Sequence, residues 1–151
     1  MLLIADDHEL VRLGLRCRFS AHHAIREAGT EAEARRAALD PQVQVILLDL
    51  RWIDRDQSPV DDAGLRLLAD IRAARPELPI LMYSVEAGAD CIARCRRLGA
   101  SGYLVKGVDD ALLTLAVRAV LAGGQIWPDP PQPRETARSQ PGETVNGHAR
   151  L

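Results

Sequence analysis

The 151-residue sequence contains no long run of apolar residues, at its beginning or further along the chain. Its first residues, MLLIADDHE, reach acidic side chains by position 6, which is too early for the apolar core of a secretory signal. No stretch approaches the roughly 20 apolar residues that a membrane-spanning helix needs. We therefore expect a cytoplasmic protein that has neither a signal peptide nor a membrane partner.

Cysteine and excess positive charge are also scarce. The three cysteines are odd in number, and none has a Cys or His partner at the spacing of a metal site. We expect Cys17, Cys91 and Cys95 to be small apolar residues in a reducing compartment, not metal ligands or disulfide partners. The formal net charge is −2, and the basic residues are scattered along the chain. This distribution argues against autonomous DNA binding.

Short apolar runs alternate with amphipathic segments as far as residue 122. The pattern predicts strands over residues 2–5, 24–27, 43–48, 79–83 and 101–105. It predicts helices over residues 9–19, 30–40, 63–74, 88–98 and 108–122, the first of them from the spacing of Leu10, Leu13 and Cys17. Five such pairs indicate an α/β domain whose parallel sheet has helices on both faces.

Polar residues follow four of the five predicted strands. Asp6 and Asp7 follow the first strand, Asp49 the third, Ser84 the fourth and Lys106 the fifth. Ligands of parallel α/β sheets bind outside the carboxyl ends of the strands, so these side chains are expected to share one pocket. Carboxylates about 4 Å apart would repel each other by roughly 4 kcal/mol per pair at an effective dielectric near 20. Such a cluster needs a cation.

Oxygen ligands whose shell is completed by water are typical of a Mg²⁺ site. Together with Lys106, the ion would offset the charge of a phosphoryl group at Asp49, because a carboxylate can form an aspartyl phosphate. The hydroxyl of Ser84 could donate to a phosphoryl oxygen. Each residue alone also has a structural explanation, such as an acidic pair at a helix N-terminus for Asp6 and Asp7. Their joint placement favours the chemical site.

Four stretches carry a resemblance to a known family: IADDHELVRLGLR, VILLDLR, PILMYS and RRLGASGYLVKG. Together they resemble the response-regulator receiver domain of two-component signalling, of the LuxR/NarL type that is fused to a DNA-binding domain. The resemblance covers residues 1–125 and implies a flavodoxin-like (βα)5 fold, a three-layer sandwich with strand order 2-1-3-4-5. We expect a receiver domain over residues 1–123. The Pro-rich, polar residues 124–151 are expected to form a disordered tail.

The resemblance also implies roles for the residues of the site. Asp49 corresponds to the phospho-acceptor of the family. Asp7 would bind Mg²⁺ directly, Asp6 would act mainly through water, and the backbone carbonyl of Arg51 would complete the metal site. Lys106 would pair with the phosphoryl group.

A switch is implied as well. Phosphate on Asp49 would draw in the hydroxyl of Ser84 and leave space for the ring of Tyr103, which changes the surface of the fourth helix, fifth strand and fifth helix. The implied partners are a sensor histidine kinase and a second copy that forms a homodimer through this surface. The domain would be a signalling module with weak autophosphatase activity, not an enzyme.

The sequence departs from the family pattern after Asp49. Family members usually carry Met-Pro there and a glycine soon afterwards, whereas this chain has Trp52-Ile53, and Gly64 lies 15 positions after Asp49. A long loop is therefore expected over residues 51–62. It adds four acidic residues near the site, which could strengthen cation binding or disfavour a phosphoryl donor: Asp54, Asp56, Asp61 and Asp62.

Other functions stay open at this point. No helices of a DNA-binding domain follow Gly124, so the chain is expected to be a stand-alone receiver or the remnant of a truncated LuxR-type transcriptional regulator. The altered loop supports a phosphorylation-independent interaction module of the same fold. A small Mg²⁺-dependent phosphatase that uses Asp49 is a third alternative.

Overall fold

Five parallel strands form the central sheet of the computed structural model, which describes residues 1–53, 59–60 and 62–129. These strands are β1 Leu2–Ala5, β2 Ile25–Ala28, β3 Val45–Leu48, β6 Ile80–Ser84 and β7 Gly102–Val105. Their order in the sheet is β2-β1-β3-β6-β7. This is the predicted order 2-1-3-4-5, so the flavodoxin-like fold is confirmed. Every residue of β1 and β3 is buried, as expected for central strands that are covered on both faces.

Helices cover both faces of the sheet and make a three-layer sandwich. They are α1 Glu9–Phe19, α2 Glu31–Ala38, α3 Ala63–Ala74, α4 Ala89–Arg97 and α5 Asp110–Leu121. One apolar cluster joins α2, α3 and α4 to the sheet and includes Leu3, and the other joins α1 and α5 and includes Leu2. Neighbouring strand residues thus pack into opposite cores. Among the described residues, no helix combines the length and the apolarity needed to cross a bilayer.

The buried row of α1 differs from the row whose spacing predicts the helix. Leu15 and Phe19 are buried, whereas Leu10 is 82% exposed and Leu13 is 41% exposed. Cys17 is also exposed, so it does not pack against the sheet, and all three cysteines are free. The helix forms where expected because either row has helical spacing, but only one faces the sheet.

Two helix starts follow from their side chains. At α2, the hydroxyl of Thr30 accepts a hydrogen bond from the backbone N–H of Glu33 at 3.2 Å, as the capping pattern predicts. The carboxylate of Glu33 accepts from the N–H of Gly29 at 2.8 Å. At α5, Asp109 accepts from the N–H of Leu112 at 2.8 Å.

The predicted loop over residues 51–62 contains a short hairpin, so that prediction is corrected. Strand β4 Trp52–Ile53 pairs antiparallel with β5 Pro59–Val60. The extra length between β3 and α3 therefore pairs with itself beside the sheet. The predicted extra acids Asp54, Asp56 and Asp61 lie outside the described residues.

The first residues of the predicted disordered tail are part of the folded unit, which corrects the prediction for residues 124–129. Ile126 forms a parallel bridge with Gly102 of β7. Trp127 packs against the apolar cluster of α2, α3 and α4. The pairing partner of this segment lies more than 20 residues earlier in the chain, so local sequence carries little signal for it. Residues 130–151 lie outside the described part of the chain.

Candidate functional site

Three acidic side chains meet at the carboxyl ends of β1 and β3. The backbone N–H of Asp6 donates to Ala28 at 3.1 Å, and that of Asp49 donates to Ala5 at 2.9 Å, so both residues continue the sheet ladder past its last strand residues. Asp6 and Asp49 are each only 2% exposed. One ligand atom from each of Asp6, Asp7, His8 and Asp49 lies within 4.8 Å of the others.

Lys106 supplies the opposite charge. Its Nζ donates to Asp6 Oδ2 at 2.6 Å and to Asp49 Oδ2 at 3.2 Å. The backbone N–H of Lys106 donates to Ser84 at 2.8 Å, which extends the β6–β7 pairing and points the residue at the acids. Burial alone would lower the pKa of Lys106, but its bonds to the two carboxylates outweigh burial and raise that pKa. Lys106 therefore remains an ammonium ion at neutral pH.

The surroundings of Asp49 disfavour ionisation of its carboxyl group. Burial raises the pKa of its carboxyl, and the negative charge of Asp6 raises it further, while Lys106 acts in the opposite direction. Asp49 Oδ1 accepts hydrogen bonds from the backbone N–H groups of Leu50 at 2.8 Å and Arg51 at 3.4 Å. The carboxylate is thus fixed in orientation, and further positive charge beside it would stabilise its ionised form.

Asp7 has one occupied oxygen and one without a partner. Its Oδ2 accepts from the backbone N–H of Ile53 in β4 at 2.8 Å, so the hairpin lies against the site. Its Oδ1 is buried and has no hydrogen bond in the described part of the chain, although His8 Nδ1 lies 2.8 Å away. A buried carboxylate oxygen without a donor is costly unless a cation faces it. The three carboxylates, of which Asp7 offers this oxygen without a hydrogen bond, fit a Mg²⁺ ion.

Ser84 and Tyr103 lie on neighbouring strands, Tyr103 paired with Met82 two residues before Ser84, and both are fully buried. Ser84 is the last residue of β6, and its Oγ accepts from the N–H of Glu86 at 3.4 Å. The phenol of Tyr103 donates to the carbonyl of Glu86 at 2.7 Å, and burial raises its pKa. The backbone of Glu86 therefore connects the two predicted switch residues.

Several contacts of the site were not predicted. Trp52 is 2% exposed, and its Nε1 donates to the carbonyl of Asp49 at 2.9 Å. This bond holds the backbone of Asp49 in place. The guanidinium of Arg51 pairs with Glu86 at 2.6 Å. His8 could have been found because it follows the two acids directly. The bond from Ile53 could not, because a backbone N–H leaves no mark in the sequence.

Two other predicted positions lie at the margin of the acidic cluster. Arg51 follows Asp49 closely, and its carbonyl remains a predicted ligand. Asp62 pairs with Arg94 of α4 at 3.2 Å instead of joining the three acids. Arg94 therefore offsets the negative charge that Asp62 is expected to add near the site.

Comparisons with known proteins agree with this geometry. The sequence profile of the response regulator receiver domain matches residues 2–118. The transcriptional activator protein ExaE of Pseudomonas putida is 32% identical over 99% of this chain and 68% of its own length. The oxygen regulatory protein NreC of Staphylococcus haemolyticus (strain JCSC1435) is 30% identical over 81% of this chain, which spans 55% of NreC.

A solved structure is similar over most of its length. The crystal structure of a LuxR-family two-component response regulator from Aurantimonas sp. SI85-9A1 superposes with a TM-score of 0.70 at 26% identity. The match covers 83% of this chain and 86% of that one. The family resemblance of the sequence is thereby confirmed. The chain belongs to the response regulator receiver domain family.

Proposed function

We propose that Asp49 accepts a phosphoryl group from a phosphohistidine of a sensor histidine kinase in a Mg²⁺-dependent reaction. The observation that carries this proposal is the position of Lys106, whose Nζ lies 2.6 Å from Asp6 and 3.2 Å from Asp49 in a buried acidic cluster. A cation between two carboxylates at strand ends offsets the charge of an incoming phosphoryl group. Phosphoryl transfer depends mainly on such positioning and charge neutralisation.

The chemical step needs little from the protein beyond this arrangement. A carboxylate oxygen of Asp49 forms a bond to phosphorus while the phosphorus–nitrogen bond of the phosphohistidine breaks, and the departing imidazole keeps the electron pair and takes a proton. Leu50 and Arg51 hold Asp49 Oδ1 through their N–H groups, which leaves Oδ2, beside Lys106, as the attacking atom. Water later hydrolyses the acyl phosphate, which makes the domain a slow autophosphatase and not an enzyme with a separate substrate.

The Mg²⁺ ion would be held by Asp7 and Asp49, by Asp6 through water and by the backbone carbonyl of Arg51. When bound, it supplies positive charge to the oxygens of the phosphoryl group. The buried Oδ1 of Asp7 supports this assignment, since it makes no hydrogen bond in the described residues and has the ring nitrogen of His8 beside it at 2.8 Å.

Ser84 and Tyr103 would read the state of Asp49. The phosphoryl oxygens would attract the hydroxyl of Ser84. Phosphorylation would then favour the conformation in which the ring of Tyr103 is buried and its hydroxyl bonds to Glu86. The surface of α4, β7 and α5 would then bind a partner or a second copy of the chain. We propose a cytoplasmic domain without autonomous DNA binding.

Incubation of the full chain with acetyl phosphate and Mg²⁺ tests the reaction. Intact mass should rise by one phosphoryl group, and the adduct should be lost in Asp49→Asn. Asp90→Asn is a matched control because Asp90 is an exposed aspartate outside the site. Modification of Asp49→Asn to the wild-type extent, or no modification of the wild type although it binds Mg²⁺, would refute the proposal.

One observation favours a second candidate function, a phosphorylation-independent interaction module. Asp7 Oδ2 already accepts a hydrogen bond from Ile53 at 2.8 Å, so the hairpin engages a predicted metal ligand. A site whose acids are satisfied by Lys106 and by the hairpin could be stable without an ion. The same incubation distinguishes the candidates, since this module would remain unmodified.

A further inference from the structure

The segment that follows α5 lies along the outer edge of the sheet. β7 is the last strand in the sheet order. Residues 125–129, called the edge segment below, cover its open side. The backbone N–H of Tyr103 donates to the carbonyl of Ile126 at 2.9 Å, and the N–H of Ile126 donates to Ser101 at 3.3 Å. With the bridge between Gly102 and Ile126, these bonds make the edge segment the beginning of a sixth parallel strand.

Side chains of the edge segment reach both cores of the domain. Ile126 packs against the apolar cluster of α1 and α5, whereas Trp127 packs against the cluster that contains Tyr103. The guanidinium carbon of Arg96 in α4 lies 4.9 Å from the centre of the Trp127 ring, a cation–π contact. Alternation across the sheet is the behaviour of a strand, so the edge segment is held on both sides of β7.

The absence of a side chain at Gly102 makes room for the backbone of Ile126 beside β7. A Cβ atom at position 102 would lie 2.5 Å from the carbonyl oxygen of Ile126 and 2.8 Å from its Cγ2. Real Cβ atoms do not approach a backbone oxygen so closely. The edge segment can therefore dock at its observed distance only because residue 102 is glycine.

Tyr103 connects the edge segment to the acceptor site. The N–H of Tyr103 donates to the carbonyl of Ile126, and its hydroxyl donates to the carbonyl of Glu86. The N–H of Glu86 donates in turn to the hydroxyl oxygen of Ser84. The Tyr103 ring belongs to the apolar cluster against which Trp127 packs, so movement of the ring out of the core would change that cluster. Docking of the edge segment and burial of the Tyr103 ring thus share contacts and are expected to occur together.

We propose that the edge segment is the output element of the switch: it docks on β7 while Tyr103 is buried and detaches when the ring leaves the core. In this way the state of Asp49 reaches the chain that follows α5. The coupling rests on the proposed function, because Asp49 must set the position of Tyr103. Linkage requires that docking stabilises the buried ring by as much as the buried ring stabilises docking. A partner at the surface of α4, β7 and α5 would also meet the edge segment.

Amide hydrogen exchange of the full chain, followed by NMR, tests docking directly. The N–H of Tyr103 should exchange at least tenfold faster in Ile126→Asp, which places a charge in an apolar contact, and in Gly102→Ala. Asp129→Asn, an exposed position of the same segment, should leave the rate within twofold of the wild type. The N–H of Leu47 in the central strand exchanges through global unfolding, and its exchange should remain slower than that of Tyr103 in each variant, which shows that the domain is still folded. Unaltered Tyr103 exchange in both variants would overturn the proposal.

Addition of Mg²⁺ and beryllofluoride, a phosphoryl mimic, tests the coupling. Exchange of the Tyr103 N–H should slow at least threefold in the wild type and should not respond in Asp49→Asn. If the Leu50 resonance shifts on beryllofluoride binding but Tyr103 exchange stays constant, the coupling is overturned and the proposed function stands. If no resonance near Asp49 responds, the proposed function fails together with the coupling, while the Ile126→Asp comparison still decides whether the edge segment docks.

Discussion

Asp49 sits where its reactivity and the stability of the fold conflict. Burial and the neighbouring charge of Asp6 raise the pKa of its carboxyl above the ordinary value of 3.8. A carboxyl whose folded pKa is raised costs stability when it ionises. This cost appears as the pH rises from below 3.8 through the folded pKa, and it is complete above that pKa.

The substitution Asp49→Asn should therefore stabilise the protein in the absence of divalent ions, because an amide cannot ionise. We expect a higher urea midpoint than that of the wild type at pH 7 in EDTA, with the difference shrinking as the pH is lowered towards 3.8. Asp90→Asn, which changes an exposed residue, should have little effect. A lower midpoint for Asp49→Asn would mean that Lys106 compensates its charge fully.

The three cysteines should differ widely in reactivity. Cys17 is exposed. Burial raises the pKa of the Cys91 thiol, and it raises the pKa of the Cys95 thiol to about 12. Only the thiolate reacts, so at pH 8 an alkylating reagent should modify Cys17 about a hundredfold or more faster than Cys95 in the folded protein. Peptide mapping after timed quenching measures both rates, and Cys17→Ser should remove the fast phase. Rapid modification of Cys95 would contradict its buried position.

At the scale of elements, Gly64 allows the start of α3 to lie close to the backbone that follows β3. The N–H of Gly64 donates to the carbonyl of Leu50 at 3.1 Å, and a Cβ atom there would lie 2.3 Å from that oxygen. Gly64→Ala should lower the free energy of unfolding by about 1–3 kcal/mol, because backbone atoms must move. Urea unfolding measures the change.

Gly14 is the matched control. It lies within α1, and a Cβ atom there would have no heavy atom within 4 Å. Gly14→Ala should raise the free energy of unfolding by about 0.5–1 kcal/mol through helix propensity. If both alanines had the same effect, the close approach of α3 to the end of β3 would not be real.

Elements with a strong local pattern could be predicted, whereas very short elements and those held by distant partners could not. The continuous apolar run before Asp49 predicts β3, and Thr30 with Glu33 predicts the start of α2, because each signal lies inside its element. Strand β4 has only two residues, which is too few to show a period. The edge segment is also short, and its pairing partner Gly102 lies more than 20 residues earlier in the chain. Their stability comes from tertiary contacts, which a local period does not report.

At the scale of the whole molecule, the site follows from the topology more than from any single residue. Alternating strands and helices require a parallel sheet, and that sheet brings Asp6, Asp49 and Lys106 together at the carboxyl ends of its strands. The sequence therefore predicts the centre of the site. Its boundary depends on the hairpin and on Glu86, which contribute the N–H of Ile53 and the backbone groups of Glu86 as well as side chains, and backbone groups have no signature in the sequence.

Binding of Mg²⁺ should stabilise the whole domain by mass action. At an ion concentration ten times the dissociation constant, the expected gain in the free energy of unfolding is about 1.4 kcal/mol. Urea unfolding with and without Mg²⁺ measures it, and Asp7→Asn should remove most of the gain while Asp90→Asn keeps it. A gain of equal size in Asp7→Asn would place the ion elsewhere.

Borohydride reduction of the protein after treatment with acetyl phosphate and Mg²⁺ tests the central claim most directly, because it reduces an acyl phosphate and marks the residue that carried it. We predict a single reduced aspartate, at Asp49, in the peptide that spans the end of β3. A reduced residue at Asp6 or Asp7, or no reduced residue in protein that binds Mg²⁺, would contradict the account.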